Sequence, residues 1–212
     1  MKTAIVMGKG SLAVNVAASM VPFAHGYKLI GIVPMLPDPP WCEGFHNWAT
    51  FGSKIRSHPH HDDLYSKVDL VISAQYGRIL PLEFVQRHGR VLNIHFSPLP
   101  KYRGMRPINW ALKNNELEHG VTIHEVDGGI DTGPIVAQSK FSIYPKLEEV
   151  MHVYNRCVLA GTQLWKDILP FVDDLRADPQ DWYMDEPSYY SKDDIAQLGD
   201  REGFTRTGEL SW

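Results

Sequence analysis

The chain opens with the stretch TAIVMGKGSLAVNVAASM, residues 3–20. Its first five residues predict a buried strand, because they are apolar or β-branched. Gly8 and Gly10 predict a tight turn, and residues 12–20 have the composition of a helix. A strand, a turn and a helix in this order are the opening of a βαβ unit.

The same alternation continues along the chain. Strands are predicted at 27–33, 68–74, 91–95, 121–126 and 135–143, and helices at 81–88, 107–113 and about 147–171. This pattern predicts an α/β fold with a mainly parallel sheet flanked by helices, and it places ligands at the carboxyl ends of the strands. We divide the chain into a main domain, residues 1–172, and a short C-terminal tail or small hairpin, residues 173–212.

The composition indicates which binding partners and which cellular compartment to expect. Lys and Arg total 21 against 25 Asp and Glu, so no overall field favours a nucleic-acid partner. Two cysteines, Cys42 and Cys157, lie far apart, which is typical of a reducing compartment, and we predict a cytoplasmic protein. No apolar run approaches the roughly 20 residues of a membrane helix, so no membrane partner is predicted.

Two motifs suggest other functions. Residues 8–13 fit the G-x-G-x-x-A dinucleotide fingerprint, which makes a nicotinamide-dependent dehydrogenase a rival hypothesis. The second strand, however, offers no acidic residue for the ribose before Asp38, so we favour glycines that allow a tight turn and close packing. The segment HPHHDD, residues 58–63, contains ligand-type side chains, but neighbours on a Pro-interrupted loop do not converge easily. We predict a solvated loop and no metal.

Asn93 and His95, unlike the two motifs above, form a pattern that predicts a catalytic site. Alternation along a strand places both side chains on one face at its carboxyl end, although both could simply cap the following loop. The glycines within 128–133 let a second loop approach a ligand closely, and Asp131 lies among them. An amide, an imidazole and a carboxylate supply what acyl transfer to an amine requires, namely an oxyanion donor, a proton shuttle and an acidic orienter.

Three motifs occur in order: Asn-x-His at 93–95, Leu-Pro-x-Tyr-Arg-Gly at 99–104 and Gly-x-Asp-Thr-Gly at 129–133. Over about residues 68–140 the chain resembles the formyltransferases that use 10-formyltetrahydrofolate. The resemblance implies the Rossmann-like formyltransferase fold, N-formyltransferase activity with 10-formyltetrahydrofolate as co-substrate, and a catalytic set of Asn93, His95 and Asp131.

The resemblance also implies where the folate binds. Backbone groups of two segments would hold the pterin, and the implied cofactor-binding residues are Tyr76, Gly77, Ile79, Leu80, Leu82, Gly128, Gly129 and Ile130. The apolar segment 79–82 could provide a slot for a flat ring, ordinary strand-to-helix packing being the alternative. His124 is implied to lie near the site.

Basic and aromatic residues follow Pro100 and would suit an acceptor that carries phosphate. The predicted substrate-binding residues are Lys101, Tyr102, Arg103, Met105, Arg106 and His124. An ordinary solvated loop is the open alternative for this segment. Tyr102 or a tail aromatic could stack on a nucleotide base, although tail aromatics also pin a tail to its domain.

The predicted acceptor depends on two comparisons, one with aminosugar enzymes and one with relatives that carry additional domains. Residues 103–112 and 188–194 are more similar to aminosugar enzymes, whereas methionyl-tRNA formyltransferases carry a further C-terminal domain and formyltetrahydrofolate hydrolases an N-terminal regulatory domain. We therefore predict a nucleotide-linked amino-deoxysugar, best a dTDP-4-amino-4,6-dideoxyhexose. The alternatives are another small amine such as glycinamide ribonucleotide, or a non-catalytic folate- or nucleotide-binding module. The short aromatic tail leaves a homodimer open.

Overall fold

The structure, a computed structural model, describes residues 1–21, 23–35, 44–45, 48, 55–64 and 66–198. Within these residues the strands are β1 (Lys2–Gly8), β2 (Tyr27–Pro34), β3 (Arg56–Ser57), β4 (Leu70–Ala74), β5 (Arg90–His95), β6 (Arg103–Gly104), β7 (Glu118–Glu125), β8 (Ile135–Ser142) and β9 (Tyr189–Tyr190). The α-helices are α1 (Gly10–Ala18), α2 (Leu82–Arg87), α3 (Pro107–Lys113) and α4 (Val150–Ile168).

Among the described residues, seven strands form one sheet in the order β3-β2-β1-β4-β5-β7-β8. The pairs from β3 to β5 are parallel, whereas β7 runs antiparallel to β5 and β8 antiparallel to β7. The predicted α/β fold with a mainly parallel sheet is therefore confirmed. Its carboxyl edge carries the ends of β4 and β5 side by side.

The core has two halves because the strands are buried on both faces. Ala4 and Val6 of β1 pack into a large cluster with helices α1 and α4, while Ile5 and Met7 pack into a smaller cluster with Phe84 of α2. This is the period-two alternation of a strand between two helical layers. It explains why the strands are almost uniformly apolar in sequence.

The glycine-rich turn after β1 packs tightly. A Cβ on Gly8, whose φ is +149°, would lie 1.8 Å from the carbonyl oxygen of Ala74. The geometry agrees with the interpretation that this glycine allows close packing of the turn against β4. The predictions that involve Asp38, Cys42 and residues 199–212 lie outside the described residues.

Several boundaries differ from the predicted ones. Helix α4 begins at Val150 and ends at Ile168, and a 3₁₀ turn covers Leu169–Phe171. Pro170 explains the change, since proline lacks the N–H that a continuing α-helix needs. The two-residue strands β3, β6 and β9 were not predicted, because two residues carry no periodicity.

The segment 58–63 is not the solvated loop that we predicted. His61 is buried, its Nδ1 lies 3.0 Å from the Tyr76 hydroxyl, and its ring packs edge-on against Phe84. His60 caps the 3₁₀ turn His61–Asp63 by accepting the N–H of Asp62. His60, His61 and Asp62 place ligand-type atoms within 4.8 Å of one another. The capping bond uses the His60 Nδ1 lone pair, so this nitrogen is not available to a metal in the arrangement seen.

The described part of the tail forms a second, two-stranded sheet, β6-β9, with the segment after β5. Tyr189–Tyr190 pair in parallel with Arg103–Gly104, so this tail strand pairs with the main domain rather than within a tail hairpin. The Tyr190 ring stacks on Trp110 with centroids 4.1 Å apart. None of the helices in the described ranges has the length and apolarity needed to cross a membrane.

Candidate active site

The predicted catalytic side chains converge at the carboxyl end of β5. Asn93 and His95 project from one face of this strand, which lies between β4 and β7 in the sheet. Across the antiparallel pair, Asn93 lies opposite His124 of β7. The sheet register thus brings His124 beside the two residues that the sequence pattern identified.

Asp131 enters this cluster from the loop between β7 and β8. One carboxylate oxygen, Oδ2, lies 3.5 Å from His95 Nδ1 and accepts the Gly104 N–H at 2.9 Å. The other, Oδ1, lies 3.4 Å from His124 Nε2 and 3.3 Å from Asn93 Nδ2. The side chain of Asp131 is 14% exposed. One nearly buried carboxylate therefore contacts every other polar group of the cluster.

The hydrogen bond of His95 Nε2 determines the orientation of the ring and which nitrogen carries the hydrogen. Nε2 lies 2.8 Å from the carbonyl oxygen of Tyr102, and a carbonyl only accepts, so Nε2 carries the hydrogen. Nδ1 is then the nitrogen that faces Asp131. A proton arriving on Nδ1 meets a carboxylate at 3.5 Å, which suits a group that takes up and releases a proton.

Asn93 is oriented by His124. His124 Nδ1 donates to the Glu125 carbonyl at 2.8 Å, so its Nε2 is free to accept from Asn93 Nδ2 at 3.1 Å. The second hydrogen of Nδ2 points to Asp131 Oδ1 over a long 3.3 Å. That long bond is the one that a substrate oxygen can replace most easily.

The surroundings of Asp131 hold it in the charged form. Burial alone would raise its pKa, but the neighbouring imidazoles of His95 and His124 and the bond from the Gly104 N–H together lower the pKa well below its ordinary value. The carboxylate is therefore ionised at neutral pH. It can stabilise a positive charge that forms on His95.

This lowered pKa predicts a pH-dependent stability. The unfolded chain takes up a proton on Asp131 near its ordinary pKa of about 3.9, whereas the folded protein does so only at lower pH. The stabilisation is therefore complete above about pH 4 and is lost as the pH falls further. We expect the Tm of the unmodified protein to fall more between pH 5 and pH 3 than the Tm of Asp131→Asn, measured by calorimetry. Equal falls would contradict the assignment.

The comparisons with known proteins place this cluster in a family. The sequence profile described as formyl transferase matches residues 54–168, more than half of the 212 residues. The chain belongs to the formyl transferase family. The resemblance that the three motifs carry is thereby confirmed at the level of the family.

Two curated relatives are similar over part of this formyl transferase chain. The methionyl-tRNA formyltransferase of Geobacter metallireducens is 41% identical over 97 residues, which are 45% of this chain and 30% of that protein. The phosphoribosylglycinamide formyltransferase of Haemophilus influenzae is 45% identical over 86 residues, 39% of this chain and 41% of that protein. The matched regions cover well under two thirds of either relative.

A solved structure is similar over nearly the whole chain. The N-formyltransferase from Helicobacter canadensis, in complex with folinic acid and dTDP-3-aminofucose, superposes with a TM-score of 0.80 at 27% identity. The superposition covers 92% of this chain and 72% of that chain. The expected Rossmann-like formyltransferase fold is confirmed.

The first segment expected to hold folate belongs partly to the smaller core cluster of this formyl transferase, and the second follows a residue that packs against that cluster. Tyr76 and Leu80 are buried in the smaller core cluster, and Val126, just before the second segment, packs against that cluster. Ile79, Leu82 and Ile130 are 77%, 51% and 42% exposed. Leu80 therefore belongs to the core, and the apolar surface predicted for the pterin comes from its exposed neighbours. Gly77, Gly128 and Gly129 lie in the same two segments.

The residues after Pro100 do not all face an acceptor. Tyr102 is 3% exposed, its hydroxyl donates to Glu116 at 2.7 Å, and its ring stacks on Tyr190. Lys101 Nζ also binds Glu116 at 2.7 Å. The prediction that the Tyr102 ring stacks on a base is therefore wrong, because the ring is enclosed by the protein. Its backbone carbonyl instead orients His95.

The remaining predicted acceptor residues are placed differently. Arg103 donates to Gln180 through Nε at 3.0 Å and Nη2 at 2.7 Å. Arg106 has a φ of +55°, and its buried Nε has no hydrogen-bond partner among the described residues. Met105 donates its N–H to the Tyr190 carbonyl at 2.8 Å. Unlike Arg103, Arg106 makes no side-chain hydrogen bond to another described residue.

Side chains of β7 and β8 form hydrogen bonds to the backbone of the loop that carries the Tyr102 carbonyl. Thr122 Oγ1 donates to the Ser97 carbonyl at 2.7 Å and accepts the Leu99 N–H at 3.1 Å, and Gln138 Nε2 donates to the Leu99 carbonyl at 2.8 Å. Sequence reasoning missed these residues and the Gly104 N–H, because they act through backbone groups. The alternation of polar Thr122 and His124 along an apolar strand was the available signal for Thr122.

Close packing of Gly133 supports the Asp131 loop. A Cβ at this position would lie 1.8 Å from the Glu125 carbonyl oxygen, whereas a Cβ on Gly128 would meet nothing within 4 Å. We expect Gly133→Ala to cost about 2 kcal/mol of stability, a fall in Tm of about 4–8 °C, while Gly128→Ala leaves Tm nearly unchanged. Thermal unfolding followed by circular dichroism measures both. Similar Tm values for the two variants would contradict the packing argument.

Proposed function

We propose that this protein transfers a formyl group from 10-formyltetrahydrofolate to the amino group of a nucleotide-linked amino-deoxysugar. The observation that carries the proposal is the convergence of Asn93, His95 and His124 on the one carboxylate of Asp131 at the carboxyl edge of the sheet. In a member of the formyl transferase family, this set matches the chemistry of transfer to an amine. The enzyme would act without a metal.

The residues can carry each part of the reaction. The acceptor nitrogen bonds to the formyl carbon while the bond from that carbon to the folate nitrogen breaks, and a proton moves from the acceptor nitrogen to the folate nitrogen. Asn93 Nδ2 donates to the formyl oxygen as it gains charge. His95 Nδ1 takes up and returns the proton, and Asp131 stabilises the imidazolium between the two steps.

The proposal that the protein binds folate is supported by exposed apolar side chains and by the backbone groups near them. Ile79 and Leu82 are exposed apolar side chains in the segment after β4, and Ile130 is one in the loop between β7 and β8 that also carries Asp131. Flat rings bind well between such side chains, and nearby backbone groups can pair with their polar edges. The Helicobacter canadensis neighbour, which holds folinic acid, supports this assignment.

The sugar acceptor rests on that same neighbour, whose complex contains dTDP-3-aminofucose. Arg106, whose guanidinium makes no hydrogen bond to another described residue, is the candidate for contact with the diphosphate through its terminal nitrogens. The formal net charge of −4 gives no general attraction to tRNA. We retain the 4-amino sugar predicted from sequence as the preferred acceptor and test the 3-amino sugar beside it.

The test is a transfer assay with purified protein and 10-formyltetrahydrofolate. The acceptors are dTDP-4-amino-4,6-dideoxyglucose, dTDP-3-aminofucose, UDP-linked 4-amino sugars, glycinamide ribonucleotide and methionyl-tRNA. Mass spectrometry detects the formylated product, and absorbance follows the release of tetrahydrofolate. Formylation of a nucleotide sugar at least 100-fold faster than of the other amines supports the proposal.

Other outcomes separate the alternatives. Preferred formylation of methionyl-tRNA or glycinamide ribonucleotide would keep the chemistry but replace the acceptor. Folate binding without transfer to any amine would favour the non-catalytic binding module. Nicotinamide binding, detected by fluorescence, would revive the dehydrogenase hypothesis.

A further inference from the structure

Gln180 of the C-terminal tail makes four hydrogen bonds to the two loops of the site. It is 5% exposed and lies in the 3₁₀ turn Gln180–Trp182. Its Oε1 accepts from Arg103 Nε and Nη2 at 3.0 and 2.7 Å. Its Nε2 donates to the carbonyls of Asp131 and Gly133, both at 2.8 Å.

These partners fix the orientation of the amide. A guanidinium only donates and carbonyls only accept, so the amide oxygen must face Arg103 and the amide nitrogen must face the Asp131 loop. A primary amide meets both demands at once. Glutamate would keep the contact with Arg103 but would set negative oxygens against two carbonyls, and leucine would lose both contacts.

The bond to the Asp131 carbonyl matters because of the local backbone. Asp131 has a φ of +53°, a left-handed conformation that costs a residue other than glycine about 1 kcal/mol or more. Gly104 holds the carboxylate of Asp131 and Gln180 holds its carbonyl. The two bonds together fix the residue from opposite ends.

The tail itself is anchored close to Gln180. Asp178 and Ile135 exchange two backbone hydrogen bonds of 2.8 Å, which place Gln180 beside the loop that precedes β8. Further on, the Ser188 carbonyl accepts the Arg103 N–H at 2.9 Å, and Ser188 Oγ accepts the Tyr102 N–H at 2.7 Å. The tail therefore contacts the loop of Asp131 and also the loop that supplies the Tyr102 carbonyl and the Gly104 N–H.

We propose that Gln180 is a positioning residue for Asp131, so that the C-terminal tail completes the geometry of the active site. The inference rests on the proposed function for its kinetic consequence. Gln180 does not touch the reacting atoms. It acts by holding the Asp131 backbone so that the carboxylate stays opposite His95 Nδ1.

The test compares Gln180→Leu and Gln180→Glu with the unmodified protein. We expect both variants to lower kcat by about 100-fold, since a displacement of about 1 Å at a reacting group has an effect of this size. The KM for each substrate should change by less than about threefold, because the carboxylate acts on the proton transfer rather than on binding. Gln180→Glu keeps the Arg103 contact, so its loss of activity would report on the two donated bonds.

Asp185→Asn is the matched control. Asp185 is another polar tail residue. Its Oδ2 binds Lys140 Nζ of β8 at a distance of 3.0 Å, and this ion pair lies outside the Asp131 cluster. We expect its kcat to stay within about twofold of the unmodified protein. A general effect of loosening the tail would lower kcat in this variant too and would overturn the inference.

A measurement without substrate separates this inference from the proposed function. In side-chain NMR spectra of ¹⁵N-labelled histidine, Gln180→Leu and Asp131→Asn should both shift the His95 signals, whereas Asp185→Asn should leave them in place. Unshifted His95 signals in Gln180→Leu would overturn the inference even if the protein transferred no formyl group. Should Gln180→Leu not fold, Gln180→Glu provides the same two readouts.

Discussion

The Asp131→Asn variant is expected to transfer formyl groups about 1,000-fold more slowly than the unmodified protein, which is within the range for loss of acid–base function. Asparagine has the same shape and can still accept the Gly104 N–H. It cannot neutralise an imidazolium at His95, whose Nδ1 lies 3.5 Å from the carboxylate. The proton taken from the amine then has no stable position before it reaches the folate nitrogen.

The measurement is kcat and KM from the coupled release of tetrahydrofolate. Asp127→Asn is the control in the same loop, because Asp127 Oδ1 only accepts from the Gly129 N–H and the Thr132 hydroxyl, which an asparagine oxygen also does. We expect this control to stay within about threefold of normal turnover. A folded Asp131→Asn protein with turnover as high as the control would refute the role of Asp131 in proton transfer.

The part of the site that lies on a strand could be predicted from sequence. Asn93 and His95 are two residues apart at the end of a buried strand, and period-two geometry places them on one face whatever the rest of the chain does. The sheet register then brings His124 opposite Asn93. The apolar strands also predicted the α/β fold, because only a sheet covered on both faces buries such runs.

The loop residues could not be placed in this way. Tyr102 follows Pro100 in a segment rich in basic and aromatic residues, which suggested an exposed binding surface. Its ring is instead enclosed because Glu116 binds its hydroxyl and Tyr190, far along the chain, stacks on it. The direction of a loop side chain depends on such distant partners, which no local pattern reveals.

Gln180 shows the same limit. It lies 49 residues from Asp131 in sequence, and it acts on a backbone carbonyl rather than on a side chain. A lone glutamine between acidic residues in a turn-rich tail gives no periodic or compositional signal. The division into a main domain and a short tail or small hairpin stays a prediction, and the bonds of Gln180 to Arg103, Asp131 and Gly133 are what no pattern in the tail indicated.

The Asn93→Ala variant is the second large effect that we expect. Removing an oxyanion donor lowers kcat by about 100- to 1,000-fold in comparable sites. The free protein shows why the donor is ready: His124 Nε2 holds one hydrogen of Asn93 Nδ2 at 3.1 Å, and the other makes only the long 3.3 Å bond to Asp131. A formyl oxygen that gains negative charge competes well for that second hydrogen. KM should change little, because the bond strengthens mainly as the charge develops.

Asn15→Ala is the control for loss of a hydrogen-bonded amide. Asn15 Nδ2 donates to Thr162 Oγ1 at 3.1 Å between α1 and α4, outside the catalytic cluster. This variant should lose some thermal stability and keep its kcat.

The double variant Asn93→Ala with Asp131→Asn adds a sharper test, because the effects of residues that act together in one step are not additive. We expect it to be far less impaired than the product of the two single effects; a fully multiplicative loss would mean that the amide and the carboxylate act in separate steps.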